Sequence, residues 1–208
     1  MRAGMAIPLA MLLAGCGGTP AATAEAAIRA DLYQCEGCEG VLERDADTLA
    51  AEGRIGPADE PGERLLVSGT VFQPDRRTPA RDVVIYAYQT NAEGRYANGS
   101  PESEWSRRHG RLRGWVKSGP DGRYSFRTIK PAPYPGETMP AHIHLTVLEP
   151  GRQAYWIDDI VFDGEFGVTG EYRAQMTDRG GNGIVPVTRA SDGTLAVTRD
   201  IILERHPS

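Results

Sequence analysis

The sequence predicts an all-β protein built as a two-sheet antiparallel β-sandwich. Seven short runs rich in β-branched and aromatic residues lie between residues 64 and 203, and Asp-Gly or Pro-Gly turns separate several of them. The 25 glycines and 15 prolines are spread along the 208 residues and form no repeat, as expected of many turns between short strands. The length suits one domain with a substantial core. A net charge of -5 without a long basic block excludes nucleic acid as a partner, because duplex affinity comes from Lys and Arg neutralising phosphates.

Residues 1–16 read as a signal peptide. Arg2 supplies a positive start, "MAIPLAMLLA" an apolar run too short to span a bilayer, and "LAGC" a small-residue end at Cys16. Leu13, Ala14, Gly15 and Cys16 resemble the bacterial lipoprotein signal, which implies lipidation of Cys16 and an exported protein held at a membrane surface only through that lipid. An ordinary cleaved secretory signal is the alternative, and it also exports the chain. Residues 17–31 then form a flexible tether.

Residues 32–63 form an N-terminal extension carrying Cys35 and Cys38. In an exported chain the two pair plausibly as a small structural disulfide, with a redox centre or half of a zinc site as the other readings. The stretch "LERDADTLAAEG" at 42–53 does not hold a helical period, so a loop or one short helix is expected.

The sandwich itself is assigned to residues 64–208. Its strands are expected at 64–72, 82–90, 112–118, 123–129, 141–148, 154–162 and 194–203. Turns at "PDG" (120–122), "EPGR" (149–152) and "SDG" (191–193) supply residues that tolerate positive φ. "IKPAPYPGETMPA" holds too many prolines for a ladder strand and reads as a stiff crossing.

The stretch "PAHIHLTV" at 140–147 carries the chemistry. Strand alternation puts His142, His144 and Thr146 on one face and Ile143, Leu145 and Val147 on the other. Two imidazoles on one side of a rigid strand suit a shared metal ion, although a solvated polar face has the same pattern.

With "NAEGRY", "GRYSFRTIKPAPYP" and "PAHIH" in order, the chain from about residue 67 to 163 resembles the intradiol ring-cleavage dioxygenases. The resemblance implies a β-sandwich of that type, an Fe(3+) ion held by Tyr96, Tyr134, His142 and His144, and catechol-like aromatic diols and O2 as substrates. Phenolate is a hard anionic donor suited to ferric iron, and a phenol with an ordinary pKa near 10 ionises at neutral pH only beside a cation. Tyr134, Arg111 and Asp159 are the candidate catalytic residues. The family's arginine before "PAHIH" is replaced by Met139, and its glutamine near the oxygen site falls on Asp159. Arg107, Arg108, Arg111 and Arg113 in "WSRRHGRLRGW" are candidates to restore the missing charge, and His109 is a candidate acid or base, with a solvated loop as the other reading. An iron- or ligand-binding lipoprotein without turnover, and a metal-free envelope sandwich, remain alternatives. The sequence sets no oligomeric state.

Overall fold

The computed structural model describes Met1 and residues 28–207. The expected signal peptide, the lipid site at Cys16 and the tether as far as residue 27 lie outside the described residues. Among the described residues no helix is long and apolar enough to cross a membrane.

Two sheets form the sandwich. The first runs in the order β1 (Glu52–Arg54), β5 (Arg123–Ile129), β2 (Arg64–Phe72), β10 (Leu195–Thr198), β9 (Thr188–Arg189), with β11 (Ile201–Ile202) also on β2. The second runs β4 (Arg113–Lys117), β3 (Val84–Gln89), β6 (His142–Leu148), β7 (Tyr155–Phe162), β8 (Ile184–Val185). Six of the expected runs match six of these strands to within two residues at either end. The seventh, 194–203, divides into β10 and β11: Arg199 N–H still donates to the Ser68 carbonyl, but the next donor of β2, Thr70 N–H, bonds to the side chain of Asp200.

The pairings β2 with β5, β3 with β4, β3 with β6 and β6 with β7 are antiparallel. Four marginal pairings are parallel, β1 with β5, β10 and β11 with β2, and β8 with β7. Each joins strands that are distant along the chain, where no hairpin dictates direction.

The inner faces bury Val67, Phe126 and Val197 of the first sheet against Ile85, Val116, Ile143 and Leu145 of the second, all at 2 % exposure or less. Burial of each large aliphatic chain contributes about 1.5–3 kcal/mol. Ile143, Leu145 and Val147 take the core face, as the alternation of β6 requires, and the histidines take the outer one.

That outer face is covered by the N-terminal extension. Residues 42–53 form no α-helix: short 3-10 turns at Cys38–Glu43 and Ala46–Thr48 precede β1. Val41 packs with Val84 and Tyr86, flanked by Leu49, Trp115 and Leu148, while Leu32 and Ile55 enter the main core. Cys35 and Cys38 are joined by a disulfide, Cα to Cα 5.7 Å, at the head of the first turn.

Two helices of six residues were not expected. The first, α1 (Glu104–His109), is held by a capping box in which Ser103 and Ser106 exchange side-chain and backbone bonds. The second, α2 (Gly170–Gln175), starts at Thr169, whose hydroxyl accepts from Tyr172 N–H. Both are too short to show a period in the sequence.

Candidate metal centre

The site sits on the outer face of the second sheet. On β6, Ile143 pairs with Ile160 and Leu145 with Ile157, so His144 alone opposes both Asp158 and Asp159. This is a β-bulge, and it turns two successive residues of β7 away from the core. Ile157 and Ile160 can then both be buried although they are three positions apart. As a result Asp159 Oδ1 stands 3.1 Å from His144 Nδ1.

Tyr96 and Tyr134 arrive on two loops that are locked together. Asn91 Oδ1 accepts from the backbone N–H groups of Glu93 and Arg95, closing the turn before Tyr96. The proline-rich crossing bonds to the same turn through Thr90 Oγ1–H to the Ala132 carbonyl, 2.8 Å, and Ala132 N–H to the Asn91 carbonyl, 3.2 Å. Gly94 lies at φ 74° against the Pro133 carbonyl, where a Cβ would be 2.0 Å from the oxygen. Gly94→Ala is expected to separate the two loops. Strain at positive φ alone costs about 1 kcal/mol or more, and metal binding at the two tyrosines is expected to be lost while the chain stays folded, as metal analysis and a thermal scan will show.

Four donor atoms close a ring. Tyr96 Oη is 2.7 Å from Tyr134 Oη, Tyr134 Oη 3.2 Å from His142 Nε2, His142 Nε2 3.1 Å from His144 Nε2, and His144 Nε2 2.9 Å from Tyr96 Oη. Donors bound at about 2.0–2.2 Å to one ion stand about 2.8–3.5 Å apart, so the edges fit a single first-row metal. The remaining ring nitrogens face outward. His142 Nδ1 is 2.8 Å from the Pro140 carbonyl and His144 Nδ1 faces Asp159. Each of these acceptors keeps a proton on Nδ1 and so presents the Nε2 lone pair to the centre. Asp159 also forms, with His142 and His144, a group whose ligand atoms lie within 4.8 Å of one another, but its contact is with the back of the His144 ring.

The electrostatics ask for a cation. Burial and the neighbouring Tyr134 hydroxyl push the Tyr96 phenol far above its ordinary pKa, and burial raises Tyr134 as well. Burial, then the neighbouring His144, lowers His142. Two neutral imidazoles and two phenols that ionise only beside positive charge form a donor set suited to a hard, highly charged ion.

The other sequence candidates lie elsewhere. Arg111 does not line the cavity at His144. Its guanidinium holds the Glu60 carboxylate at 2.7 Å, while its backbone, bonded to the Ala97 carbonyl, and its aliphatic stem, packed at Gly99, touch the Tyr96 loop. Glu60 is 4 % exposed, and a buried carboxylate needs its counter-charge, which is why the arginine is drawn away from the site. Arg111→Met is therefore expected to cost about 1–3 kcal/mol of stability, several degrees in melting temperature, with little change in metal binding at the four donors. Arg113 pairs with Glu43, and Arg108 lies over Trp105. Met139 is exposed.

His109 is buried rather than substrate-facing. Its Nδ1 is 2.8 Å from Tyr86 Oη, and its ring stacks on Tyr88 at 3.9 Å, which in turn stacks on His144 at 4.4 Å. Burial, then Arg113, lowers its pKa to about 4, so it is neutral at pH 7. It supports a metal-ligand candidate through Tyr88, a residue that strand packing alone explained in the sequence.

A cavity of about 300 Å³ opens on His144. Tyr88, Trp156, Ile157, Asp159, Tyr172 of α2 and Met176 just after it line it. Of the four donors, His144 is the one that reaches it.

Comparison with known proteins places this site in a family. The family model described as "Dioxygenase" matches residues 42–179, and the chain belongs to that family, whose members use non-haem iron. Its relatives there are intradiol enzymes. Over 105 residues it is 34 % identical to catechol 1,2-dioxygenase 1 of Acinetobacter lwoffii, covering 43 % of this chain and 33 % of that protein. Over 92 residues it is 33 % identical to the protocatechuate 3,4-dioxygenase beta chain of Burkholderia cepacia, covering 41 % and 39 %. The chain thus spans about a third to a half of the curated relatives it matches.

Solved structures cover more of it. The dioxygenase domain of a dioxygenase carbohydrate-binding protein fusion from Streptomyces sp. SirexAA-E superposes with a TM-score of 0.54 at 25 % identity, covering 75 % of this chain and 88 % of that one. An intradiol ring-cleavage dioxygenase from Tetranychus urticae gives 0.55 at 20 % identity, covering 79 % and 91 %, a likeness of fold.

Proposed function

We propose that this chain is a non-haem Fe(III) intradiol dioxygenase that adds both atoms of O2 to a catechol-like diol and breaks the bond between the two hydroxyl-bearing carbons. The observation that carries this reading is the closed ring of two phenols and two imidazoles. Diol and O2 together contain every atom of the ring-opened diacid, so no further oxidant or reductant is required. Ferric iron, when bound, supplies Lewis acidity and a template for the diol.

The chain's own residues do the rest. Asp159 and the Pro140 carbonyl hold the Nδ1 protons of His144 and His142, leaving the Nε2 atoms free to bind. Tyr134, carried on a crossing outside both sheets, would be a phenolate beside bound iron, and in that form its Oη would be the group to take up a proton released by the second substrate hydroxyl. Trp156 and Tyr88 offer aromatic surface to the ring and limit water.

Metal analysis and the visible spectrum of the purified chain test the reading. About one iron per chain, a red-brown tyrosinate band, and O2 uptake with catechol, hydroxyquinol or protocatechuate are expected. A folded, iron-free and colourless protein that consumes no O2 would overturn it.

We further infer that the protein works outside the cytoplasm, anchored through Cys16. The "LAGC" end of the apolar run supports this. Cys16→Ala is expected to abolish incorporation of labelled palmitate and to shift the protein out of the membrane fraction.

A further inference from the structure

The cavity at His144 has one wall that the seven-strand reading does not supply: the disulfide-tied turn of the N-terminal extension. Cys35, Glu36 and Gly37 line the cavity directly. The turn is seated by close contacts. Gly37, at φ 88°, leaves no room for a side chain, since a Cβ would stand 2.9 Å from His109 Nε2. Trp115 Nε1–H donates to the Gly40 carbonyl at 3.1 Å, and Cys38 Sγ lies 3.9 Å from Thr146 Oγ1, two positions along β6 from His144. With the Cys35–Cys38 bond, these contacts make the turn a rigid wall.

The charge on this cavity has one sign. Glu36, Asp158 and Asp159 line it, and no Lys or Arg is among its described lining residues. Two of the carboxylates are engaged. Asp158 accepts from Thr177 Oγ1–H and from the backbone N–H groups of Thr177 and Arg179, and Asp159 faces His144. Arg179 sits behind the Trp156 ring, 3.9 Å from its centroid, and spends its donors on the Trp156 and Leu32 carbonyls. Glu36 is different. Its one ion-pair partner is Arg108 at 3.8 Å, and its side chain is 92 % exposed.

We propose that this wall selects the substrate by charge: the cavity takes catechols whose ring substituent is neutral or bears an ammonium group and discriminates against those bearing a carboxylate, with Glu36 as a specificity-determining residue. The proposal rests on the dioxygenase reading above. A ring carboxylate would enter a space lined by three like charges and by no Lys or Arg, whereas an ammonium group meets at the mouth a carboxylate, Glu36, engaged only by the long, exposed contact to Arg108. Because Glu36 is exposed, the effect is modest and sensitive to salt.

The full-length iron-loaded chain is compared on catechol, 4-(2-aminoethyl)catechol and protocatechuate, by kcat/KM from O2 uptake and by Kd from calorimetry at low ionic strength. The amine is expected to exceed protocatechuate by about tenfold in both measures, and 0.5 M salt to narrow that ratio. Glu36→Lys is expected to compress the ratio about threefold to tenfold, and Glu36→Gln by less. Protocatechuate bound as well as the amine, or a ratio unmoved by Glu36→Lys, would overturn the proposal. Catechol that binds with the expected charge ranking but is never consumed would instead overturn the dioxygenase reading and leave the charge selection standing.

Discussion

Tyr96→Phe and Tyr134→Phe are each expected to lower catechol-dependent O2 uptake by at least about 100-fold, because loss of supporting contacts alone costs metal sites about 10–100-fold and these changes remove a donor atom. The two hydroxyl oxygens are 2.7 Å apart in a partly buried site, and desolvation drives both phenols toward the neutral form. Only a cation at their common point reverses that preference. The metal-free chain is therefore expected to be colourless, with both tyrosines ionising above their ordinary pKa, and the iron-loaded chain to show a band that each substitution weakens and shifts. Tyr96 is the more desolvated of the two and makes the shorter contact to its histidine, 2.9 Å to His144 against 3.2 Å from Tyr134 to His142, so its loss is expected to reduce iron content further than the loss of Tyr134. Tyr134 is instead expected to show the larger fall in turnover per bound iron. Each change deletes a hydroxyl and keeps the ring, at a cost to folding of about 1 kcal/mol. Either variant retaining the original band and turnover would remove that tyrosine from the site.

Asp159 is expected to act through His144. Its carboxylate accepts the Nδ1 proton, which sets the tautomer and the direction of the ring. Asp159→Asn keeps an acceptor and loses the charge, with an expected loss of about 10-fold in iron affinity. Asp159→Leu leaves Nδ1–H without its partner, with an expected loss nearer 100-fold. Competition with a chelator measures both, and the visible band at saturating iron reports whether His144 still binds. A group acting only on substrate or O2 would lower turnover and leave the chelator titration unchanged. The family glutamine that aligns with Asp159 gave no hint of this contact, which depends on the bulge.

The bulge is present in the letters, in the spacing of Ile157 and Ile160 around two aspartates, but a strand range by itself does not say where the partner strand leaves a residue doubled. The β6 pattern was read correctly because its reason is local: a residue and the one after it point to opposite faces whatever lies above them. The proline-rich crossing was legible for the same kind of reason, since proline cannot donate to a ladder. α1 escaped notice because six residues complete less than two turns, and its capping serines were the only available signal. Arg111 is a candidate in the sequence because it could restore the charge missing at Met139, yet its partner Glu60 lies 51 residues away.

From its sequence alone the chain determined its strands and their buried faces, the turns between them, and a donor set suited to a ferric ion by likeness to a family. All of these follow from alternation, backbone preference or side-chain chemistry carried by neighbouring residues. Only the tertiary structure decided that two loops and one strand close four atoms into a ring, that Asp159 backs His144, that Arg111 serves Glu60, and that a disulfide-tied turn walls the cavity with negative charge. Those outcomes depend on contacts between segments far apart in the chain, which exist only once the core and the loops have packed.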